Sequence, residues 1–219
     1  VALELWMLDS GAYLPKEKGG ENLNYENVRP DQMDWMIRNY DVSVPSVVFQ
    51  HITVPEIYNA LFKDVKPRHT GRMIQNLAEG TYLLIPNLAV IDEGFILERP
   101  CPGYYNTGQF ERISVLNKCV DNGVKAIFTG HDHSNNYSVE YRGVNLVNTA
   151  SVKPAEKLRD NINRGCRVIV FEESNPADYD TYTITRSKLG YGPAAGVVNV
   201  MRIFTSGMMK LIRFFFFFF

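Results

Sequence analysis

Two histidines one residue apart, His131 and His133, follow a glycine at the end of an apolar run, Val124-Lys125-Ala126-Ile127-Phe128-Thr129-Gly130-His131-Asp132-His133. Neutral imidazole is the commonest protein ligand for metal ions. In an extended or tightly turned segment, side chains at i and i+2 can be steered to neighbouring points. The C-terminal end of a core strand is also where open α/β sheets place their ligands. A His-x-His pair there is a metal-site candidate. The other reading makes both residues polar members of a loop. A third histidine, His51, ends a second apolar run, Pro45 to Gln50. If both runs are parallel strands, their C-terminal ends share one rim. His51, His131 and His133 then converge although they are distant in sequence. Three imidazoles suit a transition metal such as Zn, Fe or Mn. Catalytic metal sites also use carboxylates. Asp132 should point away from at least one of its flanking histidines. Asp9 lies at a strand end and can reach the rim, but nothing marks it as a ligand. His69, among Lys66, Pro67 and Arg68, reads as a solvated loop residue.

The elements that would position these residues follow from periodicity. Val1 to Leu8 reads as a strand, central in its sheet, ended by the turn residues Asp9-Ser10-Gly11. Pro30 suits a first helical turn, and Met33, Trp35, Met36, Ile37 and Tyr40 mark an apolar face to about Asn39. Pro45 to Gln50 and Val124 to Thr129 read as buried strands, with a short helix over Pro55 to Phe62. Phe110, Ile113, Leu116 and Val120 predict a helix from Gln109 to Asn122, stopped by Gly123. Ser138 to Tyr141 and Val144 to Asn148 pair around Arg142-Gly143. Gly165 to Glu172 is another strand, and the alternation from Tyr179 to Arg186 predicts an antiparallel edge strand. Lys63 to Asn76 has no period, Leu77 to Ile91 has no assignable element, and Arg99 to Gly108 reads as a loop. Strand–helix alternation followed by a β-rich stretch predicts an α/β fold with mixed sheets.

The 219 residues suffice for a domain with a real core. A net charge of −1 argues against a nucleic-acid partner. The three cysteines, Cys101, Cys119 and Cys166, show no C-x-x-C spacing and leave the compartment open. Cys119 and Cys166 sit in apolar patterns and read as core thiols, which leaves Cys101 as the exposed one. There is no nucleophile-elbow serine and no phosphate-cradling glycine loop. Phe214 to Phe219 is a homopolymer, expected either from a truncated gene model or from the start of a membrane span. Arg202, Lys210 and Arg213 interrupt the apolar tail from Val197, so membrane association stays open.

Gly130-His131-Asp132-His133 resembles the Gly-His-x-His motif of calcineurin-like metallophosphoesterases, in particular their purple-acid-phosphatase-like branch. Leu8 to Gly11, Pro30 to Trp35, Phe49 to Glu56 and Val124 to Asn136 resemble that branch's segments in the same order. The resemblance runs from about Val1 to Thr185 and implies the C-terminal part of a layered α/β/β/α sandwich. Residues 1–186 would form a partial metallophosphoesterase domain lacking its N-terminal half, and 187–219 a tail. It further implies hydrolysis of a phosphate ester substrate, with His51 and His131 on one metal and His133 on the other. The cofactors would be two divalent or trivalent ions, Fe, Mn or Zn, roughly 3.5–4 Å apart. Asn135 and Asn136 are expected in solvated loop, with hydrogen bonding near the site as the alternative.

The family's Asp-x-His, Gly-Asp-x-x-Asp and Gly-Asn-His motifs do not occur in this chain. The resemblance therefore implies a fragment that is inactive by itself. The competing reading is a non-catalytic binding or scaffold domain that keeps the fold, and a further one is a His-rich metal-binding domain of other ancestry. A fragment should also leave Val1 to Leu8 and Pro45 to Gln50 exposed and adhesive.

Overall fold

Short runs of β-branched and aromatic residues become strands here, and Met- and Leu-bearing segments with helical period become the helices that cover them. A computed structural model describes residues 2–13, 25–61, 93–95, 100–103, 114–152, 165–186 and 188–189. In chain order the elements are β1 (Glu4–Met7), α1 (Pro30–Asn39), β2 (Ser46–Phe49), α2 (Ile57–Leu61) and β3 (Glu93–Phe95). Then come α3 (Val115–Asp121), β4 (Ala126–Thr129), β5 (Asn136–Tyr141), β6 (Val144–Asn148), β7 (Gly165–Phe171) and β8 (Tyr179–Thr185). His69, the stretches Lys63 to Asn76 and Leu77 to Ile91, and the tail from Val197 lie outside the described residues. Among the described residues no helix is long and apolar enough to cross a membrane.

The fold is α/β with a mostly parallel central sheet. Among the described residues it has six strands, in the order β1-β2-β4-β6-β5-β3. The pairs β1–β2, β2–β4 and β4–β6 are parallel, while β5 and β3 continue the sheet antiparallel. A two-residue turn joins β5 to β6. Arg142 (φ 58°) and Gly143 (φ 79°) both take left-handed backbone, the geometry of a tight hairpin whose twist matches its strands.

Apolar residues cover both faces of the sheet. On one face Trp6, Val48, Ile127 and Leu146 pack with Met33 and Met36 of α1, Ile57 and Leu61 of α2, and Leu116 and Cys119 of α3. On the other, Val47, Ala126, Phe128 and Val147 pack with Phe49, Ile169, Phe171 and Tyr179. Period-two alternation along each strand sends neighbours to opposite faces. The chain divides into two compact units, Val1–Ala150 with Ile169–Asp180, and Ser151–Val168 with Thr181–Phe219. In the second unit Gly165 lies against Ile184 and Thr185, and Thr181 Oγ1 donates to the Val168 carbonyl at 3.1 Å. β7 and β8 therefore run antiparallel, the arrangement that the alternation of Tyr179 to Arg186 predicts.

Several expectations need correction. Among the described residues β1 is an edge strand, not a central one, because only β2 pairs with it. Trp6 turns to the helices while Leu5 and Met7, at 51% and 66% exposure, turn outward. β2 is not an exposed surface: strands flank it on both sides, and Ser46, Val47 and Val48 are buried. Trp35 leaves the buried face of α1, since two residues beyond Met33 is about 200° round the helix. It instead meets the edge of Trp6, ring centroids 5.3 Å apart. α3 runs from Val115, with the Ser114 hydroxyl accepting from the Asn117 amide at 3.0 Å as its cap, while Gln109 to Ile113 of the expected helix lie outside the described residues. Cys166 is exposed, on the outward alternation of β7, while Cys119 is fully buried.

Candidate metal centre

The site begins with strand register. Parallel pairing sets Phe49 of β2 beside Phe128 of β4, so the next residues of each strand leave the sheet at the same rim. The ladder then continues one step beyond both strands. The Gln50 amide donates to the Phe128 carbonyl at 3.0 Å, and the Gly130 and His131 amides both donate to the His51 carbonyl, at 3.2 and 3.0 Å. Three backbone bonds thus fasten the two histidine-bearing turns together. A third turn joins them, where Ser10 Oγ, just past β1, accepts from the Ile52 amide at 2.9 Å.

Fastened this way, the side chains meet. His131 Nδ1 stands 3.2 Å from His51 Nε2, with the rings nearly perpendicular. Two imidazole nitrogens bound to one ion at 2.0–2.1 Å stand about 2.8–3.4 Å apart, from octahedral to tetrahedral angles. The observed spacing therefore suits a shared metal; with one nitrogen protonated it is equally a hydrogen bond. Burial pushes the His131 pKa down to about 4, and the charges of His51 and His133 push the same way. His51 lies exposed at the rim, yet partial desolvation lowers its pKa, helped by the charge of His133. Both rings are thus held neutral, the form in which imidazole binds metal. His133 is exposed, close enough for its charge to act on both partners.

The sequence expectation that the three histidines share a rim is met geometrically by His51 and His131, with His133 as an electrostatic neighbour. Among the described residues no group of three or more His, Cys, Asp and Glu side chains is arranged to hold a metal ion. The donor set is partial, but its two close members fit the group. Asp9 does not join them. It sits in exposed surroundings, where its Oδ1 accepts from the Gly11 amide at 2.9 Å and its Oδ2 pairs with Arg29 at 3.4 Å.

Residues beside the histidines also have definite work. Asp132 is 3% exposed; its Oδ1 accepts from the Cys101 amide at 2.9 Å and its Oδ2 from Asn135 Nδ2 at 3.3 Å. Asn135 and Asn136 are buried, not solvated, because the turn folds them beneath the rim and into the start of β5. Tyr25 sets its ring edge-on to His131 at a centroid distance of 4.2 Å, with Tyr13 beside it at 5.1 Å. Burial, followed by the hydrogen bond to Tyr13, pushes the Tyr25 pKa up to about 12. Neither tyrosine is marked by periodicity, since both lie in a Gly- and Asn-rich stretch.

No family model matches the chain, and no solved structure matches it. Among curated proteins, "Probable inactive purple acid phosphatase 14" of Arabidopsis thaliana is 26% identical over 159 residues. The match takes in 66% of this chain, which spans only 31% of that relative's length. Over part of its length, then, the chain is weakly similar to a purple acid phosphatase-like protein.

Proposed function

We propose that this chain is part of a metal-dependent phosphomonoesterase in which His51, His131 and His133 hold divalent or trivalent ions, Fe, Mn or Zn. The observation that carries this reading is the 3.2 Å approach of His51 Nε2 to His131 Nδ1 at the shared C-terminal rim of two parallel strands. Burial keeps the closer ring neutral and ready to bind. Bound there, such ions would supply the positive charge that phosphate-ester hydrolysis must place against the phosphoryl oxygens. The protein's own contribution is orientation: the His51 carbonyl holds both amides of the opposing turn, and Tyr25 packs against the His131 ring. In this reading the remaining ligands and the rest of a layered α/β/β/α sandwich come from sequence beyond the segments described.

A second reading is a non-catalytic binding or scaffold domain that retains the fold. It is favoured by the partial donor set and by the word "inactive" in the Arabidopsis relative's name. Calorimetric titration of Zn2+ and Mn2+ into the purified chain separates the ideas. The metal reading expects saturable binding that His51→Ala and His131→Ala each weaken about tenfold or more. No saturable binding by the wild-type chain would end it. Hydrolysis of p-nitrophenyl phosphate by this chain should match that of the His131→Ala variant. A robust metal-dependent rate would overturn the expectation that these residues alone are inactive.

A further inference from the structure

The turn carrying His131 and His133 is held from a third strand by one side chain. Asn148 ends β6 and has no exposed surface. Its Nδ2 donates to two backbone carbonyls of the turn, Asp132 O at 3.0 Å and Asn135 O at 2.6 Å. Its Oδ1 lies 3.2 Å from Thr129 Oγ1, and the two carbonyls, which can only accept, fix which way the amide faces. Thr129 is anchored in turn, because its hydroxyl also reaches the Val147 carbonyl at 3.1 Å and its carbonyl accepts from the Thr149 amide at 3.0 Å.

The two carbonyls have a particular placement. Asp132 O belongs to the peptide that leads into His133, and Asn135 O lies two residues beyond it. An amide NH2 has two hydrogens, so one group can satisfy both carbonyls at once. No other natural side chain of that size has two donors on one nitrogen and an acceptor beside it. Aspartate copies the shape and replaces the donors with oxygen, facing two carbonyl oxygens.

We propose that Asn148 is a positioning residue for the candidate metal centre. It holds the peptide that leads into His133 and the carbonyl two residues beyond it, and so sets the direction of that imidazole relative to the His51–His131 pair. Its consequence for metal binding rests on the reading of these histidines as ligands; the locking of the turn does not.

The test uses the full chain with Asn148→Ala, Asn148→Asp and the control Asn145→Ala. Asn145 lies on the same strand, and its amide donates to the Tyr179 hydroxyl at 2.9 Å, away from the turn. Amide hydrogen exchange across Gly130 to Asn136 is read first, against β1 and β2 as internal references. Both Asn148 variants should speed exchange in the turn at least tenfold relative to those strands, and Asn145→Ala should not. Co2+ titration is read second, through its visible absorption bands and through the 15N shifts of each histidine ring. The Asn148 variants should weaken Co2+ binding about tenfold or more, the usual range for loss of a ligand-orienting partner. His133 should stop responding to metal while His51 still responds. Uniformly faster exchange, or a turn no faster than in Asn145→Ala, overturns the assignment. If the wild-type chain takes up no Co2+, the metal reading fails while the exchange result still decides the role of Asn148.

Discussion

Ser114 joins two helices through one hydroxyl, and its removal should be felt in both. Its oxygen accepts from the Asn117 amide at 3.0 Å as the N-cap of α3. Its hydrogen goes to the Glu56 carboxyl, just ahead of α2. Glu56 is 3% exposed, and its second oxygen is buried with no hydrogen-bond partner among the described residues. Losing a serine cap costs about 1 kcal/mol. Stripping a buried carboxyl of its donor adds about 1–3 kcal/mol. Ser114→Ala should therefore cost about 2–4 kcal/mol, or about 1–2 M in the urea midpoint for a slope near 2 kcal/mol/M. Burial raises the Glu56 pKa above its ordinary 4.5, and the Ser114 hydrogen bond opposes that rise. The folded chain thus holds this proton more tightly than the unfolded one. The associated stability is present below 4.5 and is lost as pH climbs through the raised value. Without Ser114 the folded pKa rises further, so the substitution should cost more at pH 7 than at pH 4. Urea melts of wild type, Ser114→Ala, Glu56→Gln and the double variant, at both pH values, measure the coupling. Additive effects with no pH dependence would refute the linkage between cap and carboxyl.

Nuclear magnetic resonance titration should place the His131 midpoint near 4, well below 6.5. Because the folded chain disfavours the imidazolium, stability should fall as pH drops from 6.5 toward 4; a midpoint at 6.5 would remove burial as the cause. Gly165→Ala should part β7 from β8, since its Cβ would come 2.0 Å from the Ile184 carbonyl oxygen. Limited proteolysis between residues 165 and 186 reads this, and an unchanged cleavage pattern would count against the close approach. Leu5→Thr with Met7→Thr should lower self-association without loss of fold, because both side chains already face outward on an edge strand. Sedimentation velocity showing the same association as wild type would locate the adhesive surface elsewhere.

What could be read from sequence was whatever short-range pattern encodes. The apolar run before Gly130, the run before His51 and the Arg142-Gly143 turn all stand out locally, and each became the expected element. The convergence of His51 with His131 followed from one rule about parallel strand ends, and their 3.2 Å contact agrees with it. What escaped depends on partners far along the chain. β1 looks central by composition, yet its place at the edge is decided by strand pairing. Asn135 looks like loop until Asn148, on another strand, closes over it. Tyr25 lies in a polar stretch with no period, and only the folded chain sets it against His131. Cys166 shows the limit of the apolar pattern itself, since alternation sends one side of a strand outward whatever the residue.

The order of strands in the sheet also has a consequence for how the protein acquires its structure. In β5–β6, Tyr141 pairs with Val144 across a two-residue turn, whereas β2 must bring Val47 to Ala126. Local contacts close quickly, and distant ones wait on the entropy of a long loop. Contact order makes the hairpin the expected nucleus, with β4, which leads into His131 and His133, adding next, and β2, which leads into His51, arriving after a long search. The imidazole pair should therefore form in the late phase of folding, with His131 in place before His51 arrives. Pulse-labelled exchange during refolding should protect Val139 and Leu146 before Val48, and metal present in the refolding buffer should leave that first phase unchanged. Simultaneous protection of all three amides would mean the sheet condenses as one piece.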